Sequence, residues 1–225
     1  LDDREVKQDE PDLYLTDQIT DHAVDFIDEA AGMDQPFFAY VTYTAPHWPL
    51  QAPAGAIEEN RGRYRGGWDA TRTARHEELK GLGILDSKWD ITPRDAGVPA
   101  WDDAPDQEWE DLRMAVYAAQ VRIMDEGVGR ILDKLRDRGV EDNTIVMFLS
   151  DNGGCAEFLA EDPEPLDGRR LFQMGAQETF GGMPMRVGND PSIPPGPEDT
   201  YCSYDVPWAN VSNTPFRMYK RWVHE

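Results

Sequence analysis

The run Ser150-Asp151-Asn152-Gly153-Gly154 carries the side chains of this sequence that are best suited to metal chemistry. Asp151 and Asn152 supply a carboxylate and an amide carbonyl side by side, and such hard oxygen donors suit Ca²⁺ or Mg²⁺ rather than a soft metal. The glycines behind them allow a sharp turn and a close approach to a ligand. The same residues are also typical of an ordinary turn, so both interpretations stay open at this point.

Two further side chains, His47 and Lys220, could act on an anion. His47 lies in a proline-rich stretch beside Trp48, where it could be a general acid, a hydrogen-bond donor to an anion or a metal ligand. The alternative is a histidine that only packs in its loop. Lys220 stands among aromatic residues and could supply a point charge for an anion, although a surface lysine is the default interpretation.

Two strands and a long helix are predicted to position these residues. Residues 37–44 and 144–150 are aromatic or β-branched with little polar alternation, which predicts strands that are buried on both faces. An apolar face recurs at helical spacing over residues 110–138, between the two strands. This order favours an α/β sheet with helices on its faces, in which ligands bind beyond the carboxyl ends of the strands. His47 and Asp151 each follow one of the strands.

The rest of the chain gives weaker patterns. Residues 17–31 predict a helix, and residues 54–85 predict one or two short helices. Residues 86–110 indicate irregular surface structure, and residues 153–215 read as a long loop region that is rich in Gly and Pro. Four tryptophans could stack on an aryl group or a sugar, or could equally be packing anchors: Trp68, Trp89, Trp101 and Trp109.

Composition excludes several classes of function. The chain has 225 residues and a formal net charge of −22, which disfavours nucleic acid and anionic membrane surfaces as partners. No apolar run is long enough for a membrane-spanning helix. Two cysteines are too few for a disulfide scaffold or a four-cysteine zinc site. The sequence starts at Leu1 without a signal segment and stops within a stretch that reads as structured, so we expect an internal piece of a longer protein.

Three ordered stretches of the chain resemble the arylsulfatase family. They are residues 37–53, which contain Ala45-Pro46-His47-Trp48-Pro49, residues 142–157, which contain the Asp-Asn-Gly-Gly run, and residues 207–217, continuing to Lys220 and Glu225. The three occur in the order of the family, with the long helix in its place, and together they cover nearly the whole chain.

The resemblance implies a fold and a reaction. The fold class would be α/β, an alkaline-phosphatase-like, mixed and mostly parallel sheet with helices on both faces, incomplete here, with residues 1–225 as an internal part of the catalytic domain. Sulfatases hydrolyse sulfuric esters with a formylglycine nucleophile and one bound Ca²⁺. Asp151 and Asn152 would be metal ligands, whereas His47 and Lys220 would be catalytic residues that bind the substrate, a small-molecule or glycan sulfate ester.

The sequence also departs from the family pattern. Formylglycine is made from Cys or Ser in a C-x-[PA]-x-R motif, and neither Cys155 nor Cys202 fits it; both are expected to be small buried thiols. The early Asp-Asp metal pair and the upstream Lys and His are absent as well. We therefore expect a missing upstream segment to supply the nucleophile and the remaining calcium ligands, and the chain alone to be inactive. The alternatives are a phosphonate monoester or phosphodiester hydrolase of the same superfamily, or a non-catalytic binding protein on this scaffold.

Overall fold

The computed structural model of the chain describes residues 13–159, 178–220 and 222. Two short strands in this part form a parallel pair, with Arg186 opposite Thr200 and Val187 opposite Tyr201. Single-turn 3₁₀ helices occur at Trp101–Asp103 and Glu141–Asn143. The described α-helices and strands, in chain order, are α1 (Leu15–Ala31), α2 (Ala54–Glu58), α3 (Gly67–Gly81), α4 (Gln107–Asp137), β1 (Arg186–Val187), β2 (Thr200–Tyr201) and α5 (Asp205–Ser212).

The helix predictions are confirmed with small changes at the ends. Helix α1 begins at Leu15, two residues before the predicted start, and Gly32 follows its last residue. The backbone amide of Gly32 donates to the carbonyl oxygen of Glu29 at 3.1 Å, which satisfies one of the helix's terminal carbonyls. The predicted long helix is α4, and the predicted short helices are α2 and α3. These segments were predictable because their apolar residues recur at helical spacing.

The predictions of two buried strands are wrong for the described chain. Residues 37–44 and 144–150 are not part of any described sheet, and most of their apolar side chains face solvent. Phe38 and Ile145 are both 88% exposed. A strand needs a neighbour to take up its backbone hydrogen bonds and cover its faces, and no described segment pairs with these two. Their apolar composition is typical of strands that neighbouring strands or helices cover, and the described chain contains no such neighbour for them.

The predicted loop over residues 153–215 is also partly wrong, because α5 and the β1–β2 pair lie within it. Helix α5 was missed since it is only 8 residues long and has no clear apolar face in its sequence. Its stability comes from burial, because Trp208 and Ala209 are fully covered. Residues 160–177 lie outside the described part of the chain.

The chain divides into two compact units. The first comprises the described residues of Leu1–Pro46 together with Gln120–Met147. Within it, the Thr20 hydroxyl lies 2.8 Å from the Tyr43 hydroxyl, and the backbone of Gly127 lies directly against Thr20. Asp28 forms ion pairs with Lys134, at 2.8 Å, and with Arg138. These contacts join α1 to the second half of α4.

The second unit comprises His47–Ala119 and the described residues of Phe148–Glu225. Its core contains a cluster of tryptophans, in which Trp208 meets Trp68 and Trp101 edge to face at centroid distances of 5.7 and 6.1 Å. The chain after His47 is tied to the strand region, since the amide of Leu50 donates to the Cys202 carbonyl oxygen at 3.0 Å. In the part of the chain that the structure describes, no helix is both long and apolar enough to cross a membrane.

Candidate active site

The Asp-Asn-Gly-Gly run forms a turn that is held from a distant part of the chain. The amide of Gly154 donates to the side-chain oxygen of Asn213 at 2.7 Å, and the carbonyl oxygen of Gly154 accepts from the amide of Lys220 at 3.1 Å. A side chain at Gly153 would lie 3.1 Å from the Asn213 amide group, so Asn213 approaches closely because position 153 is glycine. The turn and the Lys220 segment are therefore fixed to one another.

The oxygen donors of this turn face solvent. The side chains of Asp151 and Asn152 are exposed. Within the described chain the Asp151 carboxylate makes no hydrogen bond or ion pair, and the Asn152 amide group donates to the Gly153 carbonyl oxygen at 3.1 Å. The carboxylate of Asp151 and the amide oxygen of Asn152 are thus available to a cation. Among the described residues, no three side chains of His, Cys, Asp or Glu come together as a metal cluster.

His47 is exposed and is oriented by its neighbour Trp48. Its Nδ1 lies 2.7 Å from the carbonyl oxygen of Trp48, and the two rings lie 4.6 Å apart. A carbonyl oxygen can only accept, so Nδ1 carries the proton and donates it. The other nitrogen of this exposed side chain, Nε2, accepts a hydrogen bond in the neutral ring and donates one in the imidazolium form.

The indole of Trp48 connects His47 to a carboxylate that the sequence did not single out, Glu157. The indole N–H donates to the Cys155 sulfur at 3.0 Å and to Oε2 of Glu157 at 3.2 Å. The Cys155 thiol donates to the same carboxylate oxygen at 3.4 Å. The Trp48 ring also packs edge-on against Tyr201, with centroids 5.6 Å apart.

The other oxygen of Glu157 binds Lys220. The ammonium nitrogen of Lys220 lies 3.1 Å from Oε1 of Glu157, and both side chains are partly exposed. Partial burial alone would lower the pKa of Lys220, but the hydrogen bond to Glu157 and the nearby Cys155 outweigh it, so the pKa is raised. Burial alone would raise the pKa of Glu157, but hydrogen bonds from Lys220 and Cys155 lower it. Both groups are therefore charged at neutral pH.

The backbone around Glu157 is held by a small polar network. The Ser203 hydroxyl donates to the Glu157 carbonyl oxygen at 2.5 Å and accepts from the Asn189 amide group at 3.0 Å. The amide of Ser203 in turn donates to the Asn189 side-chain oxygen at 2.8 Å. Ser203 is fully buried, so these bonds lie away from competing water. Glu157 accordingly extends from a fixed backbone.

The two cysteines are buried and free, as expected. Burial raises the pKa of Cys202 to about 12, since the nearby Arg113 lowers it only in part. Burial also raises the pKa of the Cys155 thiol. Both sulfurs are therefore protonated at neutral pH, and a protonated buried thiol is a poor nucleophile.

The predicted site residues all lie in the second unit. Lys220 is joined to the Asp-Asn-Gly-Gly turn through its backbone, and His47 and Lys220 are joined to each other through Trp48 and Glu157. Sequence reasoning missed Glu157 and Asn213. Both lie inside the stretches that carry the family resemblance, but an isolated Glu or Asn gives no local signal of a partner that lies about 60 positions away.

Comparison with known proteins decides the family. A family model described as Sulfatase matches residues 2–179, which is well over half of the chain. The chain belongs to the sulfatase family. Its fold class is accordingly the α/β class that the sequence predicted.

Individual relatives of this sulfatase chain agree with the assignment. It is 34% identical over 194 residues to an uncharacterized sulfatase of Schizosaccharomyces pombe, which covers 85% of this chain and 32% of the relative. It is 32% identical over 203 residues to an arylsulfatase of Klebsiella aerogenes, which covers 86% of this chain and 38% of the relative. The chain therefore spans about a third of the length of these relatives.

A solved structure is also similar to part of the chain. The crystal structure of Ps i-CgsB in complex with k-i-k-neocarrahexaose is 26% identical in sequence, with a TM-score of 0.40. The match covers 68% of this chain and 23% of that chain.

Proposed function

We propose that this chain serves in the hydrolysis of sulfuric esters, as an arylsulfatase-type enzyme, and that residues 1–225 are part of its catalytic α/β domain. The observation that supports the proposal is that the candidate site groups of this sulfatase-family chain lie together in its second unit. An exposed imidazole, an ammonium group and a turn of oxygen donors are connected there by hydrogen bonds through Trp48, Glu157 and Gly154. An ester sulfate carries negative charge that these groups can bind.

His47 and Lys220 would contact the substrate. The Lys220 ammonium has three donors, and Glu157 and Cys155 engage it, so a remaining N–H would reach a peripheral sulfate oxygen. His47 holds its Nδ1 proton on the Trp48 carbonyl oxygen, so its imidazolium form would present Nε2–H to the leaving oxygen as the ester bond breaks. Charge that develops on that oxygen is stabilised by such a donor.

Asp151 and Asn152 would hold a calcium ion. Both offer oxygen atoms, both are exposed, and the Asp151 carboxylate has no competing partner in the described chain, so the donor set fits a hard cation. A bound Ca²⁺ would place a fixed positive charge beside the sulfate group. Calcium takes about six to eight oxygens, so two donors make an incomplete site. We propose that polypeptide beyond residues 1–225 supplies the other ligands.

The nucleophile would also come from outside these 225 residues. Neither cysteine fits the formylglycine motif, and both are buried with raised pKa values. We propose a formylglycine made from a Cys or Ser in an upstream segment. The solvent-exposed segments 37–44 and 144–150 support a larger domain, because their apolar faces need covering strands that the described chain does not provide.

The substrate would be a small-molecule or glycan sulfate ester. Of the four tryptophans considered above, Trp68, Trp101 and Trp109 are buried, whereas Trp89 is 57% exposed. The segment that carries Trp89 is joined to the segment before Lys220, since the Thr92 hydroxyl donates to the Pro215 carbonyl oxygen at 2.7 Å. An exposed indole at this position could stack on an aryl or sugar ring.

The test is turnover by the full-length protein of matched aryl sulfate, phosphate and phosphonate esters. We expect sulfate ester turnover that is lost on chelation and restored by Ca²⁺, with a kcat/KM that falls at least about 100-fold in Lys220→Ala and His47→Ala. Lys80→Ala, which removes a lysine on α3, is the matched control and should leave the rate unchanged. Faster turnover of a phosphate or phosphonate ester would favour the related hydrolases, and no turnover of any ester would favour a binding protein.

A further inference from the structure

Glu157 links the two candidate substrate-binding residues, because it binds Lys220 directly and contacts the indole of Trp48, whose carbonyl oxygen accepts from His47. One carboxylate oxygen binds the Lys220 ammonium at 3.1 Å, and the other accepts from the Trp48 indole and the Cys155 thiol. A carboxylate that is held at both oxygens cannot rotate freely with the long lysine side chain. The ammonium that it binds is therefore fixed in one place.

We propose that Glu157 is a positioning residue that fixes the Lys220 ammonium for an anionic substrate. The inference rests on the proposed function, because it assumes that Lys220 binds the ester sulfate. A lysine side chain has many rotamers, and holding it in place before binding removes part of the entropic cost of binding. The buried Ser203–Asn189 network supports this role, since it fixes the backbone from which Glu157 extends.

The charges around Lys220 agree with this role. In the part of the chain that the structure describes, the titratable groups that interact with its ammonium are the Glu157 carboxylate and the Cys155 thiol. Removing Glu157 would remove its hydrogen bond and its charge, both of which raise the pKa of Lys220, so that pKa would fall. Glu157 thus both holds the Lys220 amine in one place and favours its protonated form.

An alternative role for Glu157 predicts the opposite change in the KM. If Glu157 only neutralised Lys220 and competed with the substrate, its removal would free the ammonium and lower the KM. A positioning role predicts that Glu157→Gln raises the KM for an aryl sulfate by about tenfold with little change in kcat, because contacts to peripheral oxygens are made in both ground and transition states.

A double-mutant cycle in the full-length enzyme tests the link. Glu157→Gln should raise the KM in the wild-type background but cause no further rise in Lys220→Ala, since the group that it positions is already absent. Glu58→Gln removes a carboxylate of the exposed Arg61 ion pair in the same unit and serves as the matched control, with kinetics unchanged. An equal rise in both backgrounds, or a lower KM in Glu157→Gln, would overturn the proposal.

A second readout does not need activity. Acetylation of lysines by a limiting amine reagent, mapped by mass spectrometry, reports the free and accessible amine at each position. We expect Lys220 to react at least about threefold faster in Glu157→Gln, relative to Lys80, because the amine is released and its pKa falls. An unchanged Lys220 rate would overturn the inference. Failure of the wild-type protein to hydrolyse any sulfate ester would instead refute the proposed function, and the acetylation rates would still decide whether Glu157 holds Lys220.

Discussion

The side-chain oxygen of Asn213 accepts a hydrogen bond from the backbone amide of Gly154 at 2.7 Å, although the two residues are 59 positions apart. The amide group of the same side chain donates to the Met218 carbonyl oxygen at 2.5 Å. Asn213 therefore joins the Asp-Asn-Gly-Gly turn to the segment that leads to Lys220. One side chain determines how two parts of the candidate site are placed in the same unit.

Asn213→Ala should loosen this turn. It leaves the Gly154 amide and the Met218 carbonyl without a partner, so we expect a loss of about 1–3 kcal/mol in unfolding free energy and a weaker affinity for Ca²⁺. Urea denaturation and calcium titration calorimetry of the full-length protein measure the two effects. Asn143→Ala, at an exposed 3₁₀ turn, is the control and should change neither. Unchanged calcium affinity in Asn213→Ala would show that the turn does not need this tie.

Two glycines of α4 should respond in opposite directions to the same substitution. A methyl group at Gly127 would overlap the Thr20 hydroxyl and lie 3.0 Å from the Tyr43 hydroxyl, whereas Gly129 has open space around it. We expect Gly127→Ala to destabilise the protein by about 1–3 kcal/mol. Gly129→Ala should stabilise it by about 0.5–1 kcal/mol, because alanine favours a helix interior more than glycine does. Thermal unfolding compares the pair, and equal shifts would contradict the packing described for this unit.

Replacing Trp68 by alanine should lower the unfolding free energy, whereas replacing Trp89 should mainly affect substrate binding. Trp68 is 3% exposed and its indole donates to the Pro99 carbonyl oxygen at 2.9 Å, so Trp68→Ala should destabilise the protein by about 3–5 kcal/mol. Trp89→Ala should change stability by less than about 0.5 kcal/mol. It should nevertheless raise the KM for an aryl or sugar sulfate by about threefold to tenfold if the indole stacks on the substrate. Steady-state kinetics with an unchanged KM would assign Trp89 no role in binding.

The ion pairs of Asp28 should make the first unit sensitive to acid. Hydrogen bonds from Arg138 and then Lys134 hold the pKa of Asp28 well below its ordinary value of 3.8. A carboxylate whose pKa is lowered by folding stabilises the protein above its ordinary pKa, and the stabilisation is lost as the pH falls towards the folded-state value. Urea unfolding free energies of the wild type and Asp28→Asn should therefore differ most at pH 7 and much less at about pH 2.

The control for this prediction is Asp125→Asn, which removes an exposed carboxylate of α4 that has no ion pair in the described chain. Its unfolding free energy should follow the wild type at both pH values. A constant difference between the wild type and Asp28→Asn across the pH range would mean that the carboxylate charge does not stabilise the unit.

The sequence predicted those features that depend on neighbours along the chain. Helices α1 and α4 were predictable because apolar residues recur every three or four positions, and Gly32 marked the end of α1. The oxygen donors Asp151 and Asn152 and the imidazole of His47 were recognisable from residue type and from the stretches that resemble the family. The roles of these residues remain predictions. The structure places all three in the second unit.

The tertiary structure decided the features that depend on distant partners. Glu157 and Asn213 belong to the candidate site because the fold places them in contact with Lys220 and Gly154. No local sequence pattern encodes such a pairing. Of four similar tryptophans, only packing determined that Trp89 is the exposed one. The apolar runs at residues 37–44 and 144–150 also depend on distant partners. Their composition indicates burial, but a strand forms only where a neighbouring strand accepts its backbone hydrogen bonds, and residue type cannot supply that neighbour.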